Sequence, residues 1–215
     1  ATQPALDDSP YIKGLKNIRE IIPDPDKYFS ILKRVDYHIE ARHEKWSWSR
    51  VAEEMRKYRQ CMVVVNTKRD ALILLDSIRD LEPLHLSTLM CGAHRRKTLT
   101  EVKRRLDADL PCYLVATQVV EAGVNLDFPV VMRAVGPLDR IVQAAGRCNR
   151  EGKLKDKDGC LINGKVIIFE PEDGGSPPGA YRSGTDQARL ILSQPDISLH
   201  NPKIYKKYFK SLYQV

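Results

Sequence analysis

Cys61-Met-Val-Val-Val65 is an unbroken apolar run, followed at once by the polar pair Asn66-Thr67. Successive side chains of a strand point to opposite faces, so a strand with one wet face alternates apolar and polar residues. Five apolar residues in a row instead describe a strand covered on both faces, as in a parallel sheet sandwiched by helices.

Outward from this run, short β-branched stretches alternate with longer helical patterns. Strands are expected near 34 to 40, 61 to 65, 84 to 89, 111 to 116, 129 to 135 and 164 to 169. Helices are expected at roughly 48 to 59, with Ser47 or Ser49 as N-cap, then at 67 to 80, 94 to 106 and 138 to 148. The alternation predicts an α/β domain with a mostly parallel sheet, right-handed crossovers and a RecA-like or Rossmann-like architecture.

A chain of 215 residues, 42% of them hydrophobic, can bury one substantial core and leaves no room for a second full domain. After Glu170 the run Pro-Glu-Asp-Gly-Gly-Ser-Pro-Pro-Gly reads as a linker or mobile loop over 171 to 182. Beyond it, in 183 to 215, Ser183 or Thr185 can cap a short helix, and Asn201-Pro202 opens another. Tyr205, Tyr208, Phe209 and Leu212 fall on one stripe of that last helix, a pattern that favours packing on a neighbour over base stacking. Trp46 and Trp48, interleaved with Lys45 and Arg50, read as a wedge against the sheet edge more readily than as a stacking platform.

The net charge of +7 suits a polyanionic partner, although ordinary soluble proteins share it. Cys61, Cys91, Cys112, Cys148 and Cys160 are odd in number and lie far apart, which fits reduced thiols in a cytoplasmic protein. No apolar run approaches the roughly 20 residues of a membrane helix, and no secretory signal is evident. The chain opens at Ala1 without methionine and stops at Val215 inside an amphipathic run, as an excised or processed piece would.

The most specific stretch is Gln143-Ala-Ala-Gly146-Arg147-Cys-Asn-Arg150, a helix end that presents a glutamine and two arginines at fixed spacing. Arginine offers a permanent planar charge, and one supplied from a neighbouring lobe stabilises charge developing on a γ-phosphate. Arg147 and Arg150 are therefore candidate fingers. Gln143 can hydrogen-bond a phosphate or its attacking water, and Gly146 allows close backbone approach. The competing reading is a helix C-terminus paired to acidic neighbours.

A second stretch, Leu114-Val-Ala-Thr117-Gln-Val-Val-Glu121-Ala-Gly123-Val-Asn125-Leu-Asp127, is a buried strand that opens a short helix. The Thr117 hydroxyl, with free N–H groups at that helix start around Gln118, makes a clasp for a nucleic-acid phosphate; bare capping is the alternative. Gly123 permits a tight turn, while Asn125 and Asp127 either reach a ribose or bond within their own loop. Asn66 and Thr67 repeat the strand-then-polar pattern, and capping explains them nearly as well as phosphate binding. His94, Arg95 and Arg96 at a helix start suit DNA phosphate or form a solvated basic face.

These segments, in this order and spacing, resemble motifs IV, V and VI of superfamily 2 helicases. The wording of Asn66-Thr67, His85-Leu-Ser-Thr-Leu-Met-Cys-Gly-Ala-His94-Arg95-Arg96 and the two stretches above is similar to the helicase-nuclease of type I CRISPR interference. The resemblance covers about Ile18 to Glu170. It implies that 34 to 170 is the second RecA-like lobe, a three-layer fold, with 1 to 33 as a leading or inter-lobe segment and 183 to 215 leading toward an accessory domain. It further implies an ATP-dependent motor moving 3′ to 5′ on single-stranded DNA, recruited by an RNA-guided surveillance complex. Asn125 stands where the helicases commonly carry aspartate, so a ribose contact there adds no charge.

No phosphate-cradling loop is present. Gly159-Cys-Leu-Ile-Asn-Gly164-Lys165-Val166 has valine at the metal-binding hydroxyl position and enters a strand. ATP and Mg2+ are thus expected mainly on a first lobe outside this chain. None of the five histidines precedes an aspartate, so the family's nuclease centre is expected in a separate domain. The rival readings are a non-catalytic binding or regulatory module built on a helicase lobe, and an unrelated Rossmann-like enzyme, for which no Gly-x-Gly-x-x-Gly follows any strand.

Overall fold

Seven parallel strands form one sheet in the order β1-β7-β6-β3-β5-β4, with β2 pairing β7 off this path. They are β1 (Val35–Ile39), β2 (Lys45–Trp46), β3 (Gln60–Val64), β4 (Leu84–Leu86), β5 (Cys112–Ala116), β6 (Val130–Ala134) and β7 (Gly164–Pro171). This computed structural model describes residues 31–121 and 123–213, together with Gly14, Arg19, Ile21, Ile22, Lys27 and Tyr28. Most of the expected leading segment, 1 to 33, lies outside the described residues.

The central strand β3 is buried along its whole length and pairs in parallel with β5 on one side and β6 on the other. Its residues part alternately. Met62 and Val64 join one core with α3 (Gly92–Asp107), α4 (Leu138–Ala145), α5 (Ala180–Leu192) and α6 (Pro202–Tyr213). Cys61, Val63 and Val65 join the other, with α1 (Trp48–Arg56) and α2 (Lys68–Ser77). A strand whose two faces each meet a helical layer has no use for polar residues, which is why the run is unbroken.

The strand expectations differ from the observed ends by a few residues at most, and the helices more. Ser47, not Ser49, caps α1, its hydroxyl accepting the Arg50 N–H. The helix expected to reach residue 80 ends at Ser77, where the chain passes into a 3-10 turn closed by Glu82 in the left-handed region. The helix expected to run to 148 stops at Ala145, because Cys148 bridges to Phe128 and Asn149 takes a positive φ of 42° to enter the next turn.

The helix expected at Ser183 or Thr185 begins at Ala180. Gly179, with φ 74°, turns the chain into it earlier, and Thr185 is buried within it. The segment between β7 and α5 is held to the lobe: the Gly175 N–H donates to the buried Asp70 carboxylate at 3.2 Å. Tyr205, Tyr208 and Phe209 are buried against the core, and Trp46 stacks on Phe169 with Arg50 over its ring. Both aromatic groups pack, as the sequence favoured.

Candidate functional site

In an open parallel sheet the strands all end at one edge, and the loops there gather the polar residues. Asn66 and Thr67 follow β3, Thr117 and Gln118 follow β5, and Gly136 follows β6 into α4. The structure therefore brings the first two sequence segments to one edge, and a side-chain bond joins them: Gln118 Nε2 donates to the Asn66 carbonyl at 2.6 Å.

Asn66 is 5% exposed and its amide is committed inside the protein. Nδ2 donates to the Val135 carbonyl at 2.7 Å, and Oδ1 accepts from Arg133 Nη1 and the Tyr181 hydroxyl, each at 2.7 Å. Thr67 caps α2, accepting the Asp70 N–H at 3.1 Å. Thr117 differs from both: it is 2% exposed, and its hydroxyl oxygen is enclosed with no partner among the described residues. Gln118 opens the 3-10 turn Gln118–Val120.

At the other end of α4, Arg147 is buried, and its guanidinium clasps the backbone of that same turn. Nε donates to the Val120 carbonyl and Nη2 to the Glu121 carbonyl, both at 2.9 Å. Arg150 is exposed. Its backbone is fixed by Asp127, whose two carboxylate oxygens accept the N–H groups of Arg150 at 2.6 Å and Glu151 at 3.1 Å. Asp127 thus takes the loop-bonding role. Asn125 and Gly123 are exposed on the intervening loop, with Gly123 at φ 74°; Gln143 is half-buried on α4, and Gly146 is exposed just past it.

His94 is exposed on the first turn of α3, apart from these contacts. Arg95 is half-buried, with Nη2 at 3.4 Å from the Met90 carbonyl and Nε enclosed without a partner among the described residues.

Sequence reasoning missed the group that ties the edge together. Arg133, mid-β6, has no exposed surface; its Nη2 donates to Glu121 Oε1 at 3.2 Å and to the Tyr181 hydroxyl at 2.9 Å. Arg140 Nη1 approaches Glu121 Oε2 at 3.4 Å. Burial pushes the Glu121 carboxyl upward against the pull of both arginines. The available signal was one arginine inside the apolar strand Val130-Val-Met-Arg-Ala134, since a buried charge needs a partner. Among the described residues no group of three His, Cys, Asp or Glu side chains is placed to hold a metal ion.

The family described as CRISPR-associated nuclease/helicase Cas3, C-terminal, matches residues 57–153, a span that contains every candidate residue above. A Cas3 nuclease/helicase of Haloferax volcanii is 39% identical over 102 residues, 44% of this chain and 11% of that protein. Another, from Methanothermobacter thermautotrophicus, is 23% identical over 154 residues, 71% of this chain and 18% of that protein. The chain therefore spans less than a fifth of the length of these relatives.

Among solved structures, T. fusca Cas3 with AMPPNP aligns with a TM-score of 0.59 at 20% identity, over 85% of this chain and 24% of that one. A chain of a CRISPR RNA-guided surveillance complex, pre-nicking, aligns at 0.60 and 16% identity, over 84% and 26%. The C-terminal domain of the DEAD-box protein Dbp5 aligns at 0.51 and 15% identity, over 81% of this chain and 97% of its own. Residues 57–153 are thus similar to the C-terminal family of the Cas3 nuclease/helicases, and the fold around them is RecA-like.

Proposed function

We propose that this chain is the second RecA-like lobe of an ATP-dependent single-stranded-DNA translocase and helicase that unwinds target DNA for degradation in type I CRISPR antiviral defence. The observation that carries the reading is the Arg147 clasp. One guanidinium joins the turn that follows Thr117 to the helix end that bears Arg150, which supports a coupling between the DNA contact proposed for the first and the nucleotide contact proposed for the second.

In this reading Arg150 is the arginine finger, held by Asp127 and stabilising charge on the γ-phosphate of ATP bound mainly by the first lobe. Arg147 positions it, and Gln143 lies on the same helix end. Gly123, Asn125 and Gly146 line the approach to the nucleotide. The donors on this edge are cationic or neutral and suit phosphate oxygens, whereas Mg2+ needs carboxylates of the other lobe. In this reading the DNA backbone meets the half-buried Gln118 and Thr67 at the strand ends, with Thr117 and Asn66 buried behind them and His94 and Arg95 further along. Nucleotide complexes of T. fusca Cas3 and the surveillance-complex structure support ATP and that complex as partners, and the nuclease/helicase names of the relatives support a nuclease domain elsewhere in the protein.

The chain by itself hydrolyses no ATP. Mixed with the nucleotide-binding lobe of the same helicase, it supports hydrolysis stimulated by single-stranded DNA, and Arg150→Ala reduces the rate about a thousandfold. Lobes that associate without any stimulated hydrolysis would favour a non-catalytic nucleic-acid-binding module instead.

A further inference from the structure

The segment that leaves β7 does not simply lead away from the lobe. The Glu172 N–H bonds to the Trp46 carbonyl, Gly175 sits on Asp70 and against the Thr67 side chain, and α5 then delivers Tyr181 to the edge beside Asn66. Tyr181 lies outside the 57–153 span that matches the family.

Two routes run from its hydroxyl to the turn after Thr117. In the first, the hydroxyl donates to Asn66 Oδ1 at 2.7 Å, and the Asn66 carbonyl accepts Gln118 Nε2 at 2.6 Å. In the second, it accepts from Arg133 Nη2 at 2.9 Å, and the same nitrogen reaches Glu121 at 3.2 Å. The two routes enter the turn at its opposite ends. The fit is close: a Cβ on Gly136 would stand 2.9 Å from the Tyr181 oxygen and 3.1 Å from Asn66 Oδ1, so only glycine admits the arrangement without a shift.

We infer that Tyr181 is a positioning residue through which the segment following β7 sets the stance of the 117–121 turn. The inference rests on the reading of that turn as a DNA grip only for its consequence, not for the coupling itself. Among the described residues Arg133 Nε is the one side-chain polar atom of Arg133, Asn66, Tyr181 and Glu121 left without a partner, and each further partner a buried polar network loses widens the set of geometries it admits. Losing the hydroxyl leaves Asn66 Oδ1 and Arg133 Nη2 each with one contact fewer, and the turn gains freedom at both ends.

The test is amide hydrogen exchange on the full 215-residue chain, comparing native, Tyr181→Phe and, as control, Tyr208→Phe. Tyr208→Phe, on α6, loses a buried hydroxyl bonded to the Gly184 carbonyl of α5, with no hydrogen bond to the turn among the described residues. Tyr181→Phe is expected to speed exchange at Val120 and Glu121 about fivefold, the equivalent of one hydrogen bond, with β3 amides unchanged and the control silent at the turn. Exchange at the turn that matches native, or that rises equally in both variants or throughout the lobe, overturns the inference. Affinity for labelled oligothymidylate is measured beside it, with Thr117→Val as a further variant. Faster exchange at the turn with affinity unmoved in both Tyr181→Phe and Thr117→Val upholds the positioning role and sinks the grip reading instead.

Discussion

Arg133 ties together residues from three separate segments of the strand-end edge, bonding Asn66, Glu121 and Tyr181. Its charge is fully buried and meets the equally buried Glu121, so the two are tolerable together and costly apart. Arg133→Met should lower unfolding free energy by about 3–5 kcal/mol in urea titrations, because it leaves the buried Glu121 carboxylate with only the longer contact to Arg140. Adding Glu121→Gln should recover part of that loss; a double variant no better than the single one would show that the pair is not the source. Arg147 teaches a related lesson. Its position in the octet was legible, but an arginine reads the same in sequence whether it reaches outward or clasps its own backbone, and only packing distinguishes them.

At the scale of elements, the end of α4 matters most. Helix periodicity carried the expectation three residues too far, since nothing local announces the bridge between Phe128 and Cys148. What fixes the turn is Asp127, 23 and 24 residues before the two N–H groups it accepts. Asp127→Ala should cost about 1–2 kcal/mol of stability, as loss of a capping carboxylate does. In the two-lobe assay it should also lower the maximal stimulated rate more than it weakens ATP binding, because a loosened Arg150 is missed chiefly in the transition state. Equal effects on both would mean that Asp127 serves the fold alone. The start of α5 was misread for a similar reason: Ser183 and Thr185 have the chemistry of caps, while the helix turns in at Gly179, whose role depends on backbone angle.

For the molecule as a whole, three layers leave two kinds of thiol. Cys61, Cys112 and Cys148 are buried within the layers, where desolvation raises each pKa, to about 11 for Cys112 and about 12 for Cys148; Cys91 and Cys160 are exposed. Ellman's reagent should therefore titrate two thiols quickly in the native chain and all five only in denaturant. Fast reaction of more than two would contradict the burial of the layers. Among the described residues no helix is long and apolar enough to cross a membrane. The sequence by itself determined a mostly parallel sheet, every strand but the two-residue β2 to within a few residues, and the order of the chemistry-bearing segments. Those properties follow from local periodicity and from residue types at short spacing, both of which survive in one dimension. Tertiary structure alone decided which polar groups are bonded within the protein. Thr117 and Asn66 carry the same strand-end signature, yet the Thr117 hydroxyl has no partner among the described residues while the Asn66 amide is consumed by Val135, Arg133 and Tyr181. Hydrogen bonds between residues 48 to 115 positions apart depend on how layers stack, and no local pattern encodes that distance.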